Sequence, residues 1–204
     1  KARGQNAPEL VIEAISHAIK LPFEEGIIEE RRIGDEALVS EEAKALRHIF
    51  FAEREIGNIP GLSKNTAKFP VESVAILGSG TMGGGIAMNF ANIGVPVTLV
   101  DISKESLEKG LGVVQKNYEN TVKRGRLSED KMATRMALIS GTTNYQDIAD
   151  KDLVIEAVFE NMDLKKKIFA EIDSICKPEA ILATNTSTLD VNEIARATGR
   201  PEKV

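Results

Sequence analysis

Two apolar runs joined by a glycine-dense turn constrain this chain more than any other feature. Val74-Ala-Ile-Leu leads into Gly78-Ser-Gly80-Thr-Met-Gly83-Gly84-Gly85, and after a helical stretch Val97-Thr-Leu-Val ends on Asp101. Strand, glycine turn, helix, strand and terminal carboxylate together spell a dinucleotide-binding unit. Gly78 allows the tight turn out of the strand, Gly80 lets backbone come close to a pyrophosphate, and Gly83 lets the helix pack closely on the sheet. The helix begins near Thr81, so its unpaired N–H groups and the positive end of its dipole face the phosphates without help from a lysine. Asp101 lies 23 residues after Gly78, near the spacing of about 20 expected for an acid that accepts hydrogen bonds from the adenosine ribose. A carboxylate there repels a 2′-phosphate, so the residues favour NAD over NADP.

With 204 residues, 42% of them apolar and 28% charged, the chain can bury a full core and a smaller second piece. A net charge of −5 and the lack of any basic run interleaved with aromatics argue against nucleic acid as a partner. No stretch reaches the roughly 18 to 20 apolar residues of a membrane span, and no secretory leader is apparent, so an intracellular, soluble protein is expected. Cys176 is the single cysteine, which excludes a disulfide within the chain and leaves no thiolate cluster for a metal. His17 and His48 fall on amphipathic helical patterns and read as helix-surface residues.

The first fifty-odd residues read as helical, with Val11, Ile15 and Ala18 on one face, a stop at Leu21-Pro22, and a new start at Ser40. Gly57 to Pro70 has the composition of a linker. The expected division is therefore 1–70, a helical segment with its linker, and 71–204, a second domain. There, short apolar runs at 73–78, 96–101, 137–140, 152–156 and 180–184 alternate with helical patterns. The fold class is α/β, a Rossmann-type doubly wound and mainly parallel sheet. Ser103 and Ser128 start the arms of an inserted helical hairpin. A further helix from Asn161 to Cys176 sets Leu164, Ile168, Ile172 and Ile175 on one face.

Two more segments stand where strands end: Val154-Ile-Glu-Ala-Val-Phe-Glu160-Asn161-Met-Asp-Leu-Lys165, and Leu182-Ala-Thr-Asn185-Thr-Ser187-Thr. Taken with the glycine turn, residues 71–204 resemble the NAD-binding domain of the L-3-hydroxyacyl-CoA dehydrogenase family. Residues 8–56, with Phe50-Phe51-Ala-Glu-Arg-Glu, are similar to the helical segment that precedes this domain in multifunctional β-oxidation enzymes, which join an enoyl-CoA hydratase/isomerase part to the dehydrogenase. The resemblance implies NAD as cofactor, a 3-hydroxyacyl-CoA as substrate, and the remainder of the same polypeptide as partner. It puts Gly78, Gly80, Thr81, Met82 and Gly83 at the pyrophosphate, Asp101 at the adenosine ribose, and Val158, Phe159, Glu160 and Lys165 toward the nicotinamide half. Ser187 is its candidate catalytic residue, beside both the nicotinamide and the substrate oxygen.

Read without the family, Glu160 and Lys165 are two solvated charges at a helix start, Ser187 is a turn or cap serine, and Asp190 with Glu193 forms a capping box. The resemblance, for its part, sets the hairpin of 103–136 in the region that helps hold CoA, which implies Arg124 and Arg126 as candidates to meet its phosphates. The resemblance also implies that the catalytic histidine falls a few residues beyond Val204, so that this piece binds cofactor, turns over little and is monomeric. Two other readings stay open: an NAD-dependent hydroxyacid or sugar-nucleotide dehydrogenase, and a non-catalytic NAD-binding or structural protein.

Overall fold

A computed structural model describes residues 4–63 and 65–204. The chain forms two compact units, one ending at Ala67 and one beginning at Lys68. In the first, α1 (Ala7–Lys20), α2 (Phe23–Val39) and α3 (Glu41–Glu55) follow one another. Leu21-Pro22 separates the first two helices because proline disfavours helical geometry in the residue before it. Ser40 starts the third, accepting a hydrogen bond from the Ala43 amide at 3.2 Å. Arg32 ties α2 to α1 through Glu13 at 3.2 Å. Helix α2 escapes a reading by pattern because Gly26 and Gly34 interrupt it, yet it carries Ile33, the unit's one buried apolar residue among those described. His17 corrects an expectation: it is half-buried beside residues of α1 and α2, and its Nδ1 is shielded from water without a partner. His48 is exposed.

The second unit is built on β1 (Val74–Leu77), β2 (Val97–Val100), β3 (Ile139–Thr142), β4 (Leu153–Glu156) and β5 (Ile181–Thr184), all parallel and arranged in the order β3-β2-β1-β4-β5. Helix α4 (Thr81–Asn92) crosses from β1 to β2; α5 (Lys104–Lys123) and α6 (Glu129–Ala137) lead to β3; α7 (Met162–Ile175) joins β4 to β5, and α8 (Val191–Ala195) follows. Alternation along β1 divides the interior. Val74 and Ile76 face a core with Ala87, Leu99, Val114 and Tyr118, whereas Ala75 and Leu77 face one with Phe169, Ile172, Leu182 and Ile194. A strand with buried neighbours on both faces has no need of polar alternation, which is why its sequence is uniformly apolar.

The helix starts follow their side chains. Ser103, Ser128 and Asn161 cap α5, α6 and α7 through the amides of Ser106, Lys131 and Leu164. Two expectations need correction. The edge strand lies at Ile139–Thr142 rather than 137–140, because Ala137 ends α6 and the Leu138 amide closes back on Arg135. On α7 the buried face is Lys165, Ile168, Phe169 and Ile172, while Leu164 lies outside it at 36% exposure and Ile175 is half-buried.

Candidate functional site

The chain leaves β3 and returns to the other side of β1, so the loops after β1 and β4 diverge at the carboxyl edge of the sheet. This reversal is where an open parallel sheet presents its crevice. Gly78 begins the first loop at φ +99°, a backbone conformation that side chains disfavour, and a Cβ there would stand 2.7 Å from the Ala157 carbonyl oxygen of the facing loop. At Gly83 a Cβ would fall 1.8 Å from the Gly78 carbonyl oxygen, so the first turn of α4 can rest on the loop only as glycine. Gly80 differs: a Cβ there would meet no protein atom within 4 Å. Gly80 also caps α4 without a side chain, leaving the first-turn amides no side-chain acceptor. An uncapped helix end beside open space is suited to an anion such as a pyrophosphate. Thr81 and Met82 are exposed on that turn.

Asp101 sits at the end of β2 with most of its acceptor capacity already engaged. Its carboxylate accepts from the Ser79 amide and the Ile102 amide, each at 2.8 Å, and from the Ser79 hydroxyl. Of roughly four lone-pair positions on a carboxylate, this leaves about one for a ribose hydroxyl. Asp101 therefore also pins the glycine loop. Ser79 is buried, and Gly110 of α5 packs on it so closely that a Cβ would come within 2.4 to 2.6 Å of its atoms. Neither residue is singled out by the sequence reading, although a glycine inside a long helix is a signal of close approach.

Across the crevice, the β4–α7 loop carries Val158, half-buried against the core, and Phe159, which is 82% exposed. Glu160 faces the loop after β5. It accepts from the Thr186 hydroxyl, from the Ser187 amide at 3.2 Å and from the Thr188 hydroxyl at 3.3 Å, and the Lys165 ammonium lies 3.5 Å away. The Thr186 hydroxyl above all, with the Ser187 amide and Lys165 adding, holds the Glu160 carboxyl below its ordinary value against the opposing effect of desolvation. The Ser187 side chain is exposed, and its hydroxyl takes no partner among the described residues.

Lys165 overturns the picture of solvated charges, since its side chain is wholly buried. Its ammonium donates to both oxygens of Glu156, each at 2.8 Å, and Glu156 is itself wholly buried at the end of β4. Glu156 carries no role in the sequence reading. A lone acid ending the apolar run Leu-Val-Ile-Glu could have signalled a buried partner. The capping-box expectation is half met: Asp190 caps α8 through the Asn192 amide at 2.9 Å, but Glu193 pairs with Lys166 instead of returning to the cap. Cys176 is buried, and burial pushes its thiol upward, as suits an inert core residue.

Residues 73–204 match the family described as 3-hydroxyacyl-CoA dehydrogenase, NAD binding domain. The chain belongs to that family. As a 3-hydroxyacyl-CoA dehydrogenase NAD-binding domain it takes NAD as cofactor, and the glycine loop, uncapped α4 and Asp101 fit that group. The match speaks for this family over hydroxyacid and sugar-nucleotide dehydrogenases. Among curated relatives, the peroxisomal bifunctional enzyme of Cavia porcellus is 42% identical over 207 residues, covering 98% of this chain and 28% of the relative. The peroxisomal bifunctional enzyme of Homo sapiens is 41% identical over 202 residues, covering 97% and 28%. The chain thus spans little more than a quarter of the curated relatives it matches. Among solved structures, the (S)-3-hydroxybutyryl-CoA dehydrogenase PaaH1 of Ralstonia eutropha is 40% identical with a TM-score of 0.64, covering 66% of this chain and 47% of that one. The dehydrogenase part of multifunctional enzyme 1 from C. elegans is 33% identical with a TM-score of 0.64, covering 72% and 33%. Among the described residues no helix is long and apolar enough to cross a membrane, and no group of His, Cys, Asp and Glu is placed to hold a metal ion.

Proposed function

We propose that this NAD-binding domain serves the reversible oxidation of an (S)-3-hydroxyacyl-CoA to the 3-ketoacyl-CoA within a soluble, intracellular multifunctional β-oxidation polypeptide. The observation that carries the reading is the strand reversal at β1, with an anion-ready glycine loop after β1 and the Glu160–Ser187 cluster on the loops after β4 and β5. Gly78, Gly80, Thr81, Met82 and Gly83 hold the pyrophosphate, and Asp101 gives its remaining lone pair to the adenosine ribose. Val158, Phe159 and Glu160 line the nicotinamide half, and Lys165, buried on Glu156, stands behind Glu160 rather than on the site's surface. NAD, when bound, accepts the hydride that leaves C3 of the substrate. Ser187 offers a free hydroxyl to the substrate oxygen as charge develops there, and Glu160 holds the Ser187 loop while remaining ionised. The proton of the substrate hydroxyl passes to a base that we assign to no residue of this chain.

Fluorescence titration of the chain with NADH and NADPH tests the cofactor reading, with NADH expected to bind and NADPH much more weakly. Asp101→Ala should weaken NADH by about 1 to 3 kcal/mol, the scale of a lost charged hydrogen bond. Equal affinity for the two nucleotides would remove the role given to Asp101. For the whole protein, turnover of 3-hydroxyacyl-CoA is expected, and activity confined to another class of alcohol would overturn the substrate assignment.

A further inference from the structure

We propose that Glu156 is a positioning residue for the nicotinamide half of the site, acting through Lys165 and Glu160 on the loop that carries Ser187. The inference rests on reading the crevice as an NAD site. Strand order makes the two halves separable. Asp101 ends β2 on one side of the glycine loop, and β4 and β5 lie on the other, so a dinucleotide held by its pyrophosphate at β1 and its adenosine sugar at β2 extends its second half across β4 and β5.

Glu156 sits beneath that second half, where its carboxylate collects donors from three directions. Lys165 of α7 donates to both oxygens at 2.8 Å, Thr184 of β5 donates its hydroxyl at 2.6 Å, and the Val158 amide donates at 2.7 Å. The end of β4, the start of α7, the end of β5 and the following loop are thereby fixed to one group. Lys165 then stands 3.5 Å from Glu160, which takes the Thr186 hydroxyl, the Ser187 amide and the Thr188 hydroxyl. A single buried carboxylate thus sets the position of an exposed one, and through it the Ser187 loop.

Stability alone does not account for the arrangement, because a buried ion pair is often no better than an apolar pair of similar volume. Its distinctive product is geometry: a carboxylate bound on every side gives Lys165 one place to sit, and a pre-set ammonium gives Glu160 one orientation.

The test compares NADH, followed by nicotinamide fluorescence, with ADP, followed by calorimetry, on the chain and on Glu156→Gln. Glutamine keeps the shape and loses the charge that holds Lys165. NADH is expected to weaken by about tenfold or more, while ADP, which reaches only the glycine loop and Asp101, stays within about twofold. Equal weakening of both would mark a general role in folding, and no weakening would show no role; either overturns the inference. If Glu156→Gln does not fold, Thr184→Val removes one donor only and should give the same split at about threefold, with equal or absent effects again overturning it. Failure of the unaltered chain to bind NADH and ADP would instead overturn the NAD reading itself.

Discussion

Two glycines two residues apart on α4 have opposite demands, and a pair of alanine substitutions exposes the difference. At Gly83 an added methyl would stand 1.8 Å from the Gly78 carbonyl oxygen and 3.3 Å from Ile76 Cγ2. Backbone has to give, so Gly83→Ala is expected to cost about 3 kcal/mol or more in urea unfolding, the range of severe overpacking. At Gly85 the same methyl would meet nothing within 4 Å on an exposed helical position. Gly85→Ala should therefore gain about 0.5 to 1 kcal/mol from reduced freedom of the unfolded chain. A Gly83→Ala protein as stable as its parent would show that helix and loop part without cost. The spacing of the glycine motif distinguishes these positions in principle, since only the third glycine of the pattern faces the strand. What the motif cannot display is its support: the bonds from Ser79 to Asp101 and the packing of Gly110 on Ser79 join residues 22 and more positions apart.

Elements meet at Asp152, which lies just before β4 and fastens the start of β1 beside it. Its carboxylate accepts from the Glu72 and Ser73 amides, both at 2.9 Å, from the Ser73 hydroxyl at 3.1 Å, and from Lys177 beyond the end of α7. The Lys177 ammonium first, and then the Glu72 amide, lower the Asp152 carboxyl from 3.8 to about 2 against desolvation. A carboxyl depressed on folding stabilises the fold above its ordinary value, and that contribution is lost as pH falls toward the folded one. Asp152→Asn should accordingly cost about 1 to 3 kcal/mol near neutral pH, with the gap to the parent closing between pH 3.8 and about 2. Urea titrations at several pH values check this, and a gap independent of pH would remove the charge from the explanation. Elements of this kind were legible where the pattern is local: apolar runs for the strands, and Ser103, Ser128 and Asn161 for the helix starts. They were illegible where a partner decides. Helix α7 turns Lys165 inward because Glu156 waits beneath it, and no periodicity of apolar residues announces a buried lysine. Edge position likewise lets β3 carry Ser140 and Gly141, exposed residues that an apolar run would not include.

At the scale of the whole molecule, apolar burial is distributed unevenly. Both core clusters consist of residues after position 70, and of the buried apolar side chains among the described residues Ile33 alone precedes Lys68. In the helical unit, by contrast, Ile12, Ile19, Phe23, Phe51 and Ile56 remain exposed. A unit of some sixty residues is near the lower limit for independent stability even with a good core, whereas the sheet unit owns its interior and every residue proposed to hold NAD. We therefore expect residues 68–204, expressed alone, to unfold cooperatively in urea and to bind NADH within about twofold of the 204-residue chain, since no assigned contact is removed and independent sites add. Residues 1–67 alone should show no cooperative transition, because one buried isoleucine cannot offset the entropy of ordering three helices. Loss of NADH binding in 68–204 would mean that the helical unit supports the crevice and that the two parts of the chain form one folding unit. Retention, with a non-cooperative 1–67, would locate the whole of the nucleotide chemistry in the sheet and leave the helices to be stabilised by contacts other than their own.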